Sequence, residues 1–273
     1  MAIEWGPGLP ATVGRPMNEV AYERYVGRWS RLFVPTVLTA AGVAKAQRVL
    51  DVATGTGEAA ALAVTEVGPA GLVVGVDIAP AMLRGAQRLF LVPTFRPVVT
   101  DGQALAFANE SFDAVICQLG LMFFPAPARG LAEFRRVLRP GRRAAVCVIS
   151  SPDRAPMWGV LAETLSRHLP AERAVLHSTF ALADAHELEQ LFREAGFADV
   201  TVARETREAV FDSFEHYWAP IEVGAGSLPQ AYRALPEPER QVVRAEVKAG
   251  LSQFASNGRL HMSVEMLIGA GRA

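Results

Sequence analysis

The chain has almost no lysine. Lys45 and Lys248 are the only two among 27 basic residues, and the arginines are scattered rather than clustered. The formal net charge is −1. With no basic excess to neutralise a phosphate backbone, nucleic acid is not expected as a partner. There are two cysteines, Cys117 and Cys147, each inside an apolar run. They read as small core residues in a reducing compartment rather than as a disulfide, a metal pair or a nucleophile. No CxxC and no HxxxH spacing occurs, so no metal site is expected. The longest uncharged stretch, residues 114–128, is too short to span a bilayer and ends in prolines. MAIEWGPGLP lacks the basic start and apolar centre of a secretory leader. The expectation is a soluble cytoplasmic protein, a monomer or homodimer, acting on a small molecule.

What the chain has is apolar residue content and strand–helix alternation. At 273 residues and 51% hydrophobic it can bury a full core. Residues 17–45 carry helical patterning, with Tyr22, Tyr25, Val26, Trp29 and Phe33. Strands are predicted at RVLDVA (48–53), GLVVGVDI (71–78), FRPVVTD (95–101), FDAVICQLG (112–120) and RRAAVCVIS (142–150). Helices are predicted at 57–66, 80–90 and 131–141, the last ended by Pro140 and Gly141. These strands are continuous apolar runs, as strands covered on both faces are. That argues for a doubly wound, mostly parallel α/β sheet. After Ser150 come helical stretches and two more strands, 198–210 and 260–271, flanking a helical insertion at 212–256. The expected organisation is one domain over 1–273. It has an N-terminal helical segment (17–45), a cofactor-binding core (46–150) and a substrate-side helical cap with the final strand pair (151–273).

Ligands of such sheets bind beyond the carboxyl ends of the strands. Gly55 and Gly57 let a ligand approach the backbone, and the helix that follows offers unpaired N–H groups. The run Gly55 to Ala60 fits GxGxxA, a dinucleotide pattern that is weak alone. Three acids at predicted strand ends sharpen it. Asp51 lies before the glycines, where a carboxylate would crowd a pyrophosphate but suit an ammonium, directly or through the loop's N–H groups. Asp77 can accept both hydroxyls of a ribose. Asp101 can accept an exocyclic adenine amine, with the Gly102 N–H facing a ring nitrogen. An amine, a ribose and an adenine without a phosphate describe S-adenosylmethionine.

LDVATGTG, VVGVDIAPAML, TDGQALAFANESFDAVICQLGLMFFP and EFRRVLRPGRRAAV, in that order, resemble the class I S-adenosylmethionine-dependent methyltransferases. They are most similar to the ubiquinone/menaquinone C-methyltransferase-like group, methyltransferase type 11. The resemblance covers about residues 45–150. It implies a Rossmann-like, seven-stranded sheet and the cofactor S-adenosyl-L-methionine. It implies that Asp51, Ala53, Thr54, Gly55 and Gly57 line the methionine end. Asp77 would then hold the ribose, and Ile78, Met82, Asp101 and Gly102 the adenine. Gln118 and Leu119 would border the sulfonium and the acceptor. Ala53 departs from the glycine that many members carry.

Methyl transfer is a direct in-line displacement at carbon, so the protein must orient the acceptor and exclude water rather than supply a nucleophile. Candidate catalytic residues are accordingly few: His216, beside Tyr217 and Trp218, and Tyr25. Tyr25 and Arg28 are expected to face the cofactor from the N-terminal helix. Leu119, Met122, Phe123, Phe124, Met157, Trp158 and Trp218 are candidates for an apolar acceptor pocket. His168, His177, His186 and His261 read as surface or packing residues. Two other readings stay open at this point: an NAD(P)-dependent oxidoreductase using the GxGxxA loop, and a non-catalytic cofactor-binding module of methyltransferase fold.

Overall fold

The computed structural model describes residues 19–89, 92–224 and 226–273. The start of the expected 17–45 segment, the end of the expected 80–90 helix and Ala225 lie outside those residues. A chain of helical turns comes first: α1 (Glu19–Tyr22), a π-helical turn (Glu23–Gly27), α2 (Arg28–Ser30), a 3₁₀ turn (Arg31–Phe33) and α3 (Val34–Ala40). Then strands and helices alternate through β1 (Arg48–Val52), α4 (Glu58–Val67), β2 (Leu72–Asp77), α5 (Pro80–Leu89) and β3 (Phe95–Val99). β4 (Phe112–Gln118), α6 (Pro127–Val137) and β5 (Leu138–Ile149) complete the parallel part. α7 (Pro156–His168), α8 (Arg173–Leu176) and α9 (Ala185–Glu194) lead to β6 (Ala198–Phe211). α10 (Phe214–Glu222), α11 (Ser227–Ala234) and α12 (Glu237–Leu251) separate β6 from the short β7 (Ala255–Ser256) and β8 (Arg259–Arg272).

The sheet order is β3-β2-β1-β4-β5-β8-β6, with β7 paired to β8. The pairs from β3 to β5 are parallel, and β8 runs antiparallel between β5 and β6. The doubly wound, mostly parallel reading is therefore the observed one. The apolar runs explain it. Every residue of β4 is buried, and Val49, Leu50, Val52, Val73 and Val76 have no measurable or almost no exposure, because helices cover both faces. Successive strands are laid out to one side of β1 and then, from β4 onward, to the other. The order thus reverses between β1 and β4, which is where such sheets open a crevice.

One boundary differs from expectation. The helix expected over 131–141 ends at Val137, and β5 already begins at Leu138, which is extended at φ −75°, ψ 139° and pairs with Phe112. Pro140 disfavours a helical Arg139. Asp113, on the neighbouring strand, then holds the Arg139 guanidinium at 2.7 Å. The helices between β6 and β8 pack largely on other helices: α12 and α11 lie against α7, and α10 lies against the π turn of the N-terminal segment.

Candidate active site

The first strand ends in a loop that is left-handed at three places: Ala53 (φ 56°), Gly55 (φ 58°) and Gly57 (φ 91°). Glycine takes that conformation freely, whereas for alanine it costs about 1 kcal/mol. A Cβ at Gly55 would meet no atom within 4 Å, so the loop backbone is open on that side. α4 starts directly after Gly57, which offers its first turn no side-chain cap.

Two of the predicted acids brace this loop. The Asp77 carboxylate accepts from the Gly55 N–H and the Ala79 N–H, one oxygen each, at 2.9 Å. Burial raises its pKa against the pull of those backbone donors. Each carboxylate oxygen keeps a further lone pair for a ligand hydroxyl. Asp51 is fully buried; its Oδ2 accepts from the Thr54 hydroxyl at 2.7 Å, and its Oδ1 has no partner. Burial, reinforced by the charge of Asp77, pushes its pKa up to about 7, although the Thr54 hydroxyl and the Ala60 N–H draw it down. Asp101 turns its own loop: Oδ1 accepts from the Gln103 N–H at 2.8 Å, and Gln103 Oε1 accepts from the Ala126 N–H at 2.8 Å. Gly102 is needed there because a Cβ would fall 2.5 Å from Phe124 Cζ and 2.8 Å from Val52 Cγ1. Ile78, in the turn after β2, and Met82, at the start of α5, are half-buried.

Over the β1–β4 crevice lies a shallow cavity, open to solvent. Its walls are Ala53, Thr54, Gly55, Thr56 and Glu58 from the loop and α4, Gln118 and Leu119 from the end of β4, and Tyr22, Val26, Gly27 and Ser30 from the N-terminal turns. Two buried polar atoms on these walls have no partner, Thr56 Oγ1 and Gln118 Oε1. The N-terminal turns are fastened to the sheet at both sides of the cavity. Gln118 Nε2 donates to the Ser30 carbonyl at 3.1 Å, and Arg31 Nε reaches Glu58 Oε2 at 3.1 Å. Burial raises the Glu58 pKa, opposed by Arg31 and aided by Glu23. The Tyr22 phenol is pushed well up, first by burial and then by the charges of Asp77 and Glu58.

Of the predicted site residues, the structure brings Ala53, Thr54, Gly55, Gln118 and Leu119 onto the cavity wall, with Asp51 and Asp77 one hydrogen bond behind. Tyr25 and Arg28 are not on this wall. Tyr25 is buried toward Gly226 and the field of Tyr217, and Arg28 is exposed, its guanidinium 4.6 Å above the Trp29 ring. Tyr22, Val26 and Ser30, spaced four residues apart along the N-terminal turns, face the crevice instead. His216 sits two-fifths exposed in the first turn of α10. Its Nδ1 accepts from the Asp212 N–H at 3.3 Å, away from the cavity. Among the acceptor-pocket candidates, Met122, Met157, Trp158 and Trp218 are buried in packing. Trp218 stacks on Phe214 with centroids 5.4 Å apart, meets Tyr232 edge-on and donates to Glu222. Phe123 is half-buried, and Phe124 is wedged between Gly102 and Gly130.

The strand order, the crevice between β1 and β4 and the glycine loop beside it define a doubly wound α/β protein with an open cleft at its switch point. Residues 49–141 match the family model described as a methyltransferase domain. The chain is 35% identical over 196 residues to the demethylmenaquinone methyltransferase of Renibacterium salmoninarum, covering 67% of this chain and 78% of that one. The crystal structure of BH2331 from Bacillus halodurans C-125 superposes with a TM-score of 0.59 at 20% identity, covering 88% of this chain and 97% of that one. The phosphoethanolamine N-methyltransferase 2 of Haemonchus contortus, solved with S-adenosyl-L-methionine, superposes with a TM-score of 0.56 at 16% identity, covering 93% and 56%. The two structural likenesses carry the fold. The chain belongs to the class I S-adenosylmethionine-dependent methyltransferases, and it is an enzyme of methyl transfer. The oxidoreductase and non-catalytic readings of the glycine loop fall away. No helix among the described residues is long and apolar enough to cross a membrane.

Proposed function

We propose that the chain methylates a small, apolar or aromatic acceptor by direct in-line displacement. The observation that supports this is the cavity at the switch point, walled by the bare glycine loop and by side chains of both kinds, Val26 and Leu119 together with Tyr22 and Glu58. S-adenosylmethionine, when bound, supplies a methyl group already activated on a sulfonium. In this reading Asp101 and Gly102 take the adenine, with Ile78 and Met82 beside it, and Asp77 the ribose. Ala53, Thr54, Gly55 and Gly57 take the methionine end, where the Thr56 hydroxyl and the first N–H groups of α4 suit a carboxylate. Asp51, buried behind Thr54, would favour an ammonium through the loop rather than by direct contact. The N-terminal turns cover one side of the cavity, and its walls hold the acceptor in line. Orientation of that kind contributes on the order of 7–11 kcal/mol in favourable intramolecular models. No side chain is assigned as a general base.

The test is turnover. The purified full chain is incubated with S-adenosylmethionine and a panel of phenols, arylamines, quinols and aliphatic amines, and S-adenosylhomocysteine is measured. Release with an apolar or aromatic member supports the reading. Release only with a charged, fully polar member would overturn the acceptor class.

A further inference from the structure

The two edges of the sheet are unlike. β3 closes one edge with five residues and carries Pro97, a residue that edge strands use against further pairing. β6 closes the other edge with fourteen residues and has neither proline nor lysine. Among the described residues no strand pairs with its outer side.

The ladder fixes which groups that side offers. In β8 the Glu265 N–H and C=O bond to Arg154 and Ser150, and those of Ala273 to Arg142 and Gly141, all on the β5 side. The alternate residues Val264, Met266 and Ile268 therefore turn to β6, where they face Arg207, Glu205 and Ala203. Val202, Arg204, Thr206, Glu208 and Val210 are left with N–H and C=O groups directed away from the sheet. The Thr206 carbonyl accepts from Arg207 Nη1 at 3.0 Å, a contact within the same chain that a second strand can replace.

Residues 202–210 read VARETREAV. Laid antiparallel on itself about Thr206, this segment sets Val202 opposite Val210, Ala203 opposite Ala209, Arg204 opposite Glu208 and Glu205 opposite Arg207. Every charge meets its opposite, and the outward N–H and C=O groups of the two strands meet each other. Other registers that keep the ladder fail. Moving the centre by one residue sets Glu205 against Glu205 or Arg207 against Arg207, and moving it by two sets Arg204 against Arg204 or Glu208 against Glu208. Like charges directly opposite are destabilising. Arg204 touches Glu265 and Glu208 touches His261, yet their side chains stay 50% and 63% exposed.

We propose that β6 is the interface of a two-fold homodimer, formed by antiparallel pairing of residues 202–210 with the same segment of a second copy, centred on Thr206. A two-fold contact needs a surface complementary to itself, and the charge order of this segment supplies one. The proposal does not rest on the methyl-transfer reading.

Sedimentation velocity of the full chain between about 1 and 100 μM measures the association. The wild type should show a reversible monomer–dimer equilibrium. Thr206→Pro removes one outward N–H and no bond to β8, and should leave monomer alone. Glu208→Arg sets arginine against Arg204 twice in each dimer and should weaken association about tenfold or more. Adding Arg204→Glu to that variant should restore it to within about threefold of wild type. Thr206→Cys, mildly oxidised, should link to itself across the axis. The two positions 202 lie about 27 Å apart along the paired strands, so Val202→Cys should not link. The native cysteines are buried and do not interfere. A monomer at every concentration, a dimer untouched by Glu208→Arg, or linking at 202 rather than 206 would each overturn the interface. If Thr206→Pro unfolds, Glu208→Arg and the two cysteine variants decide.

Discussion

Replacing Asp51 with asparagine should make the protein less sensitive to alkaline pH. Asp51 is fully buried, with one oxygen held by the Thr54 hydroxyl and the other unpartnered. Its pKa rises from 3.8 to about 7, chiefly through burial. The folded state therefore keeps a proton that the unfolded chain has lost. The associated stability is fully present below pH 3.8 and is lost as pH climbs through about 7. Three units at 1.36 kcal/mol each set a limit of about 4 kcal/mol on the whole effect. Between pH 5 and 8.5 the share lost is about 2–3 kcal/mol. Asparagine keeps an acceptor for Thr54 and carries no charge, so its variant should lack this slope. The assay is urea unfolding of both proteins at the two pH values, without ligand. The difference in unfolding free energy, variant minus wild type, should grow by about 2–3 kcal/mol from pH 5 to 8.5. A change below about 0.5 kcal/mol, or one of opposite sign, would refute the view that Asp51 is a costly buried carboxylate awaiting a cation.

Asp77→Ala should weaken S-adenosylmethionine binding by about 1–3 kcal/mol, and unchanged affinity in a folded variant would remove the ribose assignment. Gly102→Ala should destabilise the fold by about 1–3 kcal/mol, because Phe124 is already wedged against Gly130 and cannot retreat; a normal melting temperature would contradict this. His216→Ala, at the exposed start of α10, should leave cofactor affinity and turnover unchanged. A large fall in the turnover number alone would return it to the reaction.

The parallel core was legible because its signals are local and agree with one another. β4 is apolar throughout and buried throughout, and the loop after β1 carries glycines where the backbone turns left-handed. The acids at 51, 77 and 101 could be placed at strand ends from spacing alone. Their state could not. That Asp77 and Asp101 first bind their own loops, and that Asp51 lies behind Thr54, depends on register between strands. In the N-terminal segment Tyr22 and Ser30 line the cavity where Tyr25 and Arg28 were expected, because periodicity names an apolar face and only tertiary packing says which edge of it meets the crevice. The aromatic residues of the later helices looked like pocket residues in the sequence. Trp218 instead is held by Phe214, Tyr232 and Glu222, contacts made by helices that only tertiary packing brings together.

In the proposed function this chain's glycine loop and strand-end acids hold S-adenosylmethionine. Calorimetric titration of the full chain with S-adenosylmethionine and S-adenosylhomocysteine, with NADH and NADPH as controls, tests it most directly. Micromolar binding of the first two and no heat from the nicotinamide cofactors is the expected result. Binding of NADH or NADPH in their place, or no binding by any of the four, would contradict it.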